Sequence, residues 1–278
     1  MNSTPIDDVA PPHRVSSTLT GRLLTITLDR SAASNALDEE MGRALLAALR
    51  PASGPDVGAV LLRSNGGNFC VGGDLRAFAQ GPESLAGMPE RVRATVDVAN
   101  EFILALADLD VPVVSALQGW VAGIGVSIGC RADIIIAGES TKFRSAYTAI
   151  GFTPDGGLSW LLPHLVGAAR TADFVLSNRV LDAAEALSWG LVSRVVPDPE
   201  LASAAEELAG TLALAAPGAQ AQVLRLLRRG QREDLAEALA TEADFVVAQA
   251  GSAEGREGVS AFLAKRVPDF HPSDAAAR

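Results

Sequence analysis

Apolar and polar residues alternate through Leu23-Leu24-Thr25-Ile26-Thr27-Leu28, with Leu24, Ile26 and Leu28 on one side, and that period of two predicts a strand. The period then lengthens. Asp38 stands before Glu39 and Glu40, and Met41, Leu45 and Leu49 recur at helical spacing, so a helix capped by Asp38 is expected to run to Arg50-Pro51. Val57 to Arg63, Val113 to Leu117 and Asp133 to Ala137 are short apolar runs that read as strands buried on both faces. Arg91 to Leu109 between them reads as a long helix, and Ser64-Asn65-Gly66-Gly67 as a turn. Strands separated by helices predict an α/β architecture. Beyond about Pro197 only helical patterns follow, over 200–216, 219–229, 233–250 and 256–266. Three regions are therefore expected: a flexible tail over 1–14, an α/β core over 15–197 and a helical C-terminal region over 198–278.

Composition narrows the class. The 278 residues are 48% hydrophobic and 20% charged, which fits a globular enzyme. A formal net charge of −10 argues against nucleic-acid binding, which needs a basic footprint. No apolar run has the length of a membrane span, and Met1 to Arg14 lacks the apolar stretch of a signal peptide, so a cytoplasmic protein without a membrane partner is expected. Cys70 and Cys130 both sit in apolar segments and read as reduced core thiols. No Cys/His cluster suits a metal.

Two glycine-containing turns carry the candidate chemistry. In Asn68-Phe69-Cys70-Val71-Gly72-Gly73-Asp74-Leu75 a chain without side chains at 72 and 73 can bring backbone N–H groups close to a ligand. In Gly119-Trp120-Val121-Ala122-Gly123-Ile124-Gly125 a strand leads to a helix start, which leaves the Ile124 N–H free to donate. Two such donors can hold an oxyanion whose charge appears in the transition state.

These segments resemble the F-C-x-G-x-D-L and G-x-x-x-G-x-G elements of the enoyl-CoA hydratase/isomerase, or crotonase, family. Ser34-Asn35-Ala36-Leu37 resembles its N-A-L signature, Arg131-Ala132-Asp133-Ile134 its C-D-I segment, and Ile150 to Gly157 its I-G-x-x-P-x-x-G loop. Ser188 to Val192 and Arg256 to Arg266 resemble its G-L-V segment and its C-terminal R-E-G-x-x-A-F-x-x-K-R. The resemblance implies a spiral of ββα units with trailing helices that pack in trimers or dimers of trimers. It implies an acyl-CoA thioester as substrate, with no cofactor beyond the CoA that the substrate carries. By the same resemblance Gly73 and Ile124 hold the thioester oxygen, with Asp74 and Leu75 beside the first donor. Arg76 matches a position that contacts the CoA phosphates or adenine, and Phe262 and Lys265 match positions that reach the adenine.

The chain departs from the family's hydratases at both glutamates that hold the water. Ser127 occupies the first position and Tyr147, placed among the substrate-binding residues, the second. Neither is a carboxylate, and a phenol with a pKa near ~10 is a poor base at neutral pH. The remaining acid is Asp155 in Thr153-Pro154-Asp155-Gly156-Gly157, where family members that shift a double bond keep their proton carrier. Phe152, Trp160, Leu161 and Tyr147 are expected to wall it. The expected activity is enoyl-CoA double-bond isomerisation with Asp155 as acid/base, with hydration by an altered site as the alternative. An aspartate nucleophile acting on aryl-CoA, a thioesterase and a non-catalytic acyl-CoA binder stay open beside them. Gly125-Val126-Ser127-Ile128-Gly129 also matches the G-x-S-x-G of serine hydrolases, with His164 and His271 as the histidines that follow it.

Overall fold

In the computed structural model residues 14–80, 85–229 and 234–271 are described, so the expected tail lies outside the described residues apart from Arg14. The strands are β1 (Val15–Thr20), β2 (Leu23–Leu28), β3 (Ala59–Ser64), β4 (Val113–Leu117), β5 (Trp120–Ala122), β6 (Ile134–Gly138), β7 (Lys142–Arg144), β8 (Val180–Asp182) and β9 (Arg194–Val196). The helices are α1 (Glu39–Leu49), α2 (Leu75–Phe78), α3 (Met88–Ala107), α4 (Ile124–Gly129), α5 (Leu158–Val166), α6 (Ala168–Ser177), α7 (Ala183–Trp189), α8 (Leu201–Ala213), α9 (Pro217–Arg229), α10 (Leu235–Ala250) and α11 (Ala253–Leu263).

One sheet has the order β1-β2-β3-β4-β6-β9 and a second the order β5-β7-β8. Only β1 runs antiparallel to its neighbour in the first sheet; β2 through β9 there are parallel. The parallel strands are covered on both faces, as their unbroken apolar runs require. On one face Val60 and Leu62 of β3 pack into a core with Leu24, Ile26 and Leu28 of β2, Met41 and Leu45 of α1, and Phe102 of α3. On the other, Leu61, Val114, Ala116 and Ile136 pack under Leu201, Ala205 and Ala209 of α8. Each fully buried aliphatic side chain here stabilises the fold by about 1.5–3 kcal/mol.

Local choices agree with this plan. Asp38 caps α1 through a 2.9 Å bond from the Met41 N–H, and Pro51 follows the helix end. The expected strands at Leu23–Leu28 and Val113–Leu117 match β2 and β4, and β6 begins one residue after its expected start. Pro197 follows β9, the last strand among the described residues. Helices alone follow it among the described residues, but α8 belongs to the core because its small residues seat it on the sheet. Cys70 and Cys130 are free and buried. No helix among the described residues is long and apolar enough to cross a membrane.

Candidate active site

The first glycine turn is fastened on two sides. Cys70 bridges to Val121 of β5, accepting from the Ala122 N–H at 2.9 Å. Gly73 bridges to Leu37: the Leu37 N–H donates to the Gly72 carbonyl at 2.8 Å, and the Asp74 N–H to the Leu37 carbonyl at 2.7 Å. Asn35, fully buried, donates through Nδ2 to the carbonyls of Asn65 and Asn68 at 2.9 and 2.8 Å. The Asn35-Ala36-Leu37 signature thus serves as the scaffold of this turn. The second turn lies against the first. Gly123 has φ +53° and ψ −129°, a conformation for glycine, and a Cβ there would meet the Gly72 Cα at 3.3 Å. Among the described residues neither the Gly73 N–H nor the Ile124 N–H has a protein acceptor. Both residues line one cavity of about 130 Å³.

The other walls of that cavity are mostly apolar: Leu37 and Phe78 on one side, Val92, Val96 and Ala99 of α3 on another, and Phe152. Its polar side chains are those of Thr95, Tyr147 and Asp155. The Tyr147 hydroxyl donates to Asp155 Oδ1 at 2.5 Å, and the Ser127 hydroxyl donates to the Asp155 carbonyl at 3.2 Å. Behind them Gly156, at φ +57°, lets its loop close on α4; a Cβ there would lie 2.2 Å from Ile124 Cδ1 and 3.0 Å from Ile103 Cδ1.

Electrostatics follow from this burial. Asp155 is pushed above the ordinary carboxylate range by desolvation, against the opposing pull of the Tyr147 hydrogen bond. Desolvation and the neighbouring Asp155 charge push the Tyr147 phenol upward, so it stays protonated. Burial also pushes the Cys70 thiol up to about 12. Asp74 shows the opposite balance. Burial would raise it, but the Ala77 N–H, the Arg30 guanidinium at 2.6 Å and the Arg76 N–H together hold it below its usual value.

Of the sequence-predicted residues, Gly73, Leu75, Ile124, Tyr147 and Asp155 meet in the cavity. Asp74 caps α2 and pairs with Arg30, and Arg76 is exposed; neither is on the lining. Phe262 is 81% exposed on α11, with Lys265 just beyond that helix, and neither joins the cavity. Of the expected apolar walls, Phe152 and Tyr147 are in place, but Trp160 and Leu161 line a separate cavity of about 660 Å³, because α5 turns them behind the Gly156-Gly157 corner. The serine-hydrolase reading finds no triad among the described residues. Ser127 is fully buried within α4, His164 Nδ1 sits 2.6 Å from the Trp160 carbonyl, and His271 Nε2 sits 3.2 Å from the Ala215 carbonyl. Sequence reasoning missed the α3 wall, whose inward residues look like any amphipathic helix face, and the supporting role of Asn35.

The family model for enoyl-CoA hydratase/isomerase matches residues 19–273. The chain belongs to the enoyl-CoA hydratase/isomerase family. It is an acyl-CoA enzyme with the crotonase fold. A crystal structure of an enoyl-CoA hydratase from Polaromonas sp. JS666 superposes with a TM-score of 0.85 at 30% identity, covering 92% of this chain and 99% of that one. The 1,2-epoxyphenylacetyl-CoA isomerase of Escherichia coli K12 is 34% identical, over 89% of this chain and 94% of its own length. The 4-chlorobenzoyl coenzyme A dehalogenase-2 of an Arthrobacter species is 30% identical, over 92% of each chain. The family's members thus bear names of different reactions on acyl-CoA thioesters, and the reaction of this one turns on its own site.

Proposed function

We propose that this enzyme isomerises an enoyl-CoA by moving one proton, with Asp155 as acid and base. The observation that carries this reading is that Asp155 supplies the only carboxylate, among the described residues, on the lining of the cavity shared by Gly73 and Ile124. In a 3-enoyl thioester the carbonyl oxygen accepts from the Gly73 and Ile124 N–H groups. Asp155 removes a C2 proton; the C2–H electron pair enters the conjugated system and charge collects on the thioester oxygen. Asp155 then returns the proton at C4 as the charge flows back, leaving a double bond between C2 and C3. One carboxyl suffices because the same proton leaves and returns. Its raised pKa favours the return step. Water addition needs a second group to hold the water, and the hydratase positions here are Ser127 and Tyr147, both occupied with Asp155.

CoA enters as part of the substrate, with no further cofactor. Exposed apolar residues on α10 and α11, including Val247 and Phe262, support burial of this face against further copies of the chain; the assembly proposed is a trimer or dimer of trimers, with Phe262 and Lys265 at a CoA adenine and Arg76 near the phosphates. A cytoplasmic location fits an acyl-CoA substrate.

The test is conversion of 3-enoyl-CoA in D2O, followed by mass spectrometry, for the native enzyme and Asp155→Asn. Formation of 2-enoyl-CoA by the native enzyme and its loss in the variant is expected. Unchanged 3-enoyl-CoA overturns the reading, and a 3-hydroxyacyl product made equally by both proteins would assign hydration by other groups.

A further inference from the structure

We infer that Tyr147 is the positioning residue of this site, holding one carboxylate oxygen of Asp155 so that the other faces the substrate carbon, while Ser127 anchors the backbone of the same residue. The inference deepens the isomerase reading and rests on it for the identity of the reaction.

Three observations carry it. First, the two hydroxyls converge on one residue from different elements. Tyr147 precedes the turn at Thr148–Ile150 and reaches Oδ1; Ser127 lies on α4 and reaches the main-chain carbonyl. Side chain and backbone of Asp155 are therefore both restrained, which a single contact would not do. Second, Ser127 is fully buried and Tyr147 is 7% exposed, so neither hydroxyl is free to trade its partner for bulk water. Third, the loop cannot shift toward α4, because Gly156 already packs against Ile124, Ile103 and the Ser127 side chain. Asp155 lines the cavity that holds the two free N–H donors, and on its other side an open surface cavity bounded by Asn100 and Pro154.

The chemistry follows from what each hydroxyl can do. A phenol kept protonated by its surroundings donates and does not compete for the substrate proton. Its hydrogen bond to Oδ1 favours the charged form of Asp155, opposing desolvation, and so brings the carboxyl toward a value at which it can both take and return a proton. The titratable groups that face Asp155 are Tyr147 and, from the first glycine turn, Cys70; no lysine or arginine among the described residues contributes to its shift. Tyr147 is thus the group available to tune it. Holding one oxygen also limits exchange of the transferred proton with solvent, because the carboxyl cannot rotate freely.

The experiment compares the native enzyme with Tyr147→Phe, which removes only the hydroxyl from a buried ring. Three readouts are taken: the Asp155 carboxyl titration by 13C NMR, with Asp155→Asn to assign the resonance; kcat and KM for 3-enoyl-CoA; and deuterium incorporated per turnover in D2O. The expected result is an Asp155 titration moved to higher pH, kcat lowered by about tenfold or more with KM nearly unchanged, and more deuterium per product molecule. An Asp155 titration that does not move, or a kcat equal to the native value, overturns the positioning role. If the native enzyme leaves 3-enoyl-CoA unchanged, the reaction assignment falls, while the NMR titration still decides whether Tyr147 governs Asp155. Should Tyr147→Phe fail to fold, Ser127→Ala provides the same comparison for the backbone anchor: more deuterium per turnover is expected, and native incorporation and kcat would overturn the restraint.

Discussion

Gly123 lies so close to Gly72 that a Cβ on it would stand 3.3 Å from the Gly72 Cα. The turns that carry the two free N–H groups are therefore spaced by main chain against main chain. A methyl group at 123 adds strain at φ +53° and pushes the turns apart. Gly123→Ala is expected to lower kcat by about 10²–10³, the cost of misplacing one such donor. Steady-state kinetics beside a melting curve checks this: the activity loss should far exceed what the change in stability explains.

Asp155 is held above the ordinary carboxylate range in the folded state by burial. A group with a raised folded pKa contributes stability that is full below its unfolded value and is lost as pH rises through its folded value. The amide introduced by Asp155→Asn imitates the protonated carboxyl and keeps an acceptor for Tyr147, so it escapes that loss. The variant is expected to melt a few degrees above the native enzyme at neutral pH, with the gap closing below about pH 4. Calorimetry across that range checks the sign; a variant less stable at neutral pH contradicts it.

Asp74 is expected to matter for folding more than for chemistry. Its carboxylate caps α2 through the Arg76 and Ala77 N–H groups and pairs with Arg30. Asp74→Ala removes the cap and leaves Arg30 with the Ala36 carbonyl at 2.7 Å and, as its remaining ion pair, Asp38 at 3.4 Å, for an expected loss of about 2 kcal/mol at neutral pH. Because its folded pKa is depressed, this contribution is present above the ordinary carboxylate value and fades as pH falls through the folded one. Urea titrations of both proteins at neutral and acidic pH measure it.

Ile103 faces the larger cavity and Ile124 the smaller one, and Gly156 packs beside both. Ile103→Ala thins this partition. It is expected to raise kcat/KM for long-chain relative to short-chain enoyl-CoA, at a cost of about 2–4 kcal/mol in stability. A chain-length series assayed on both proteins shows whether the ratio moves.

How far such a site can be read in advance depends on the length of the signal. β2, β4 and α1 were legible because alternation, a buried run and a capped amphipathic face each extend over five residues or more. β5, β7, β8 and β9 have three residues each, too few for a period to register, and β1 carries Ser16, Ser17 and Thr18 on an exposed edge. Gly73, Ile124 and Asp155 were legible as motifs. Tyr147 was expected as a wall of Asp155, but the bond from its hydroxyl to Oδ1 was not, because the φ +65° bend at Ala146 and the φ +74° turn at Gly151 that aim it leave no spacing rule in the chain. Asn35 was visible within a signature but its partners, thirty and more residues away, were not.

The seating of α8 on the far face of the sheet has a consequence for biosynthesis. Leu61 leaves the ribosome long before Leu201, Ala205 and Ala209, which cover it, and β9 completes its edge of the sheet only with Val196. A nascent chain therefore carries a bare aliphatic face for most of its translation, and cannot bury it by pausing early. Its exposure to aggregation, and its need for a chaperone, should end abruptly when residues 201–213 emerge rather than decline as each strand is added.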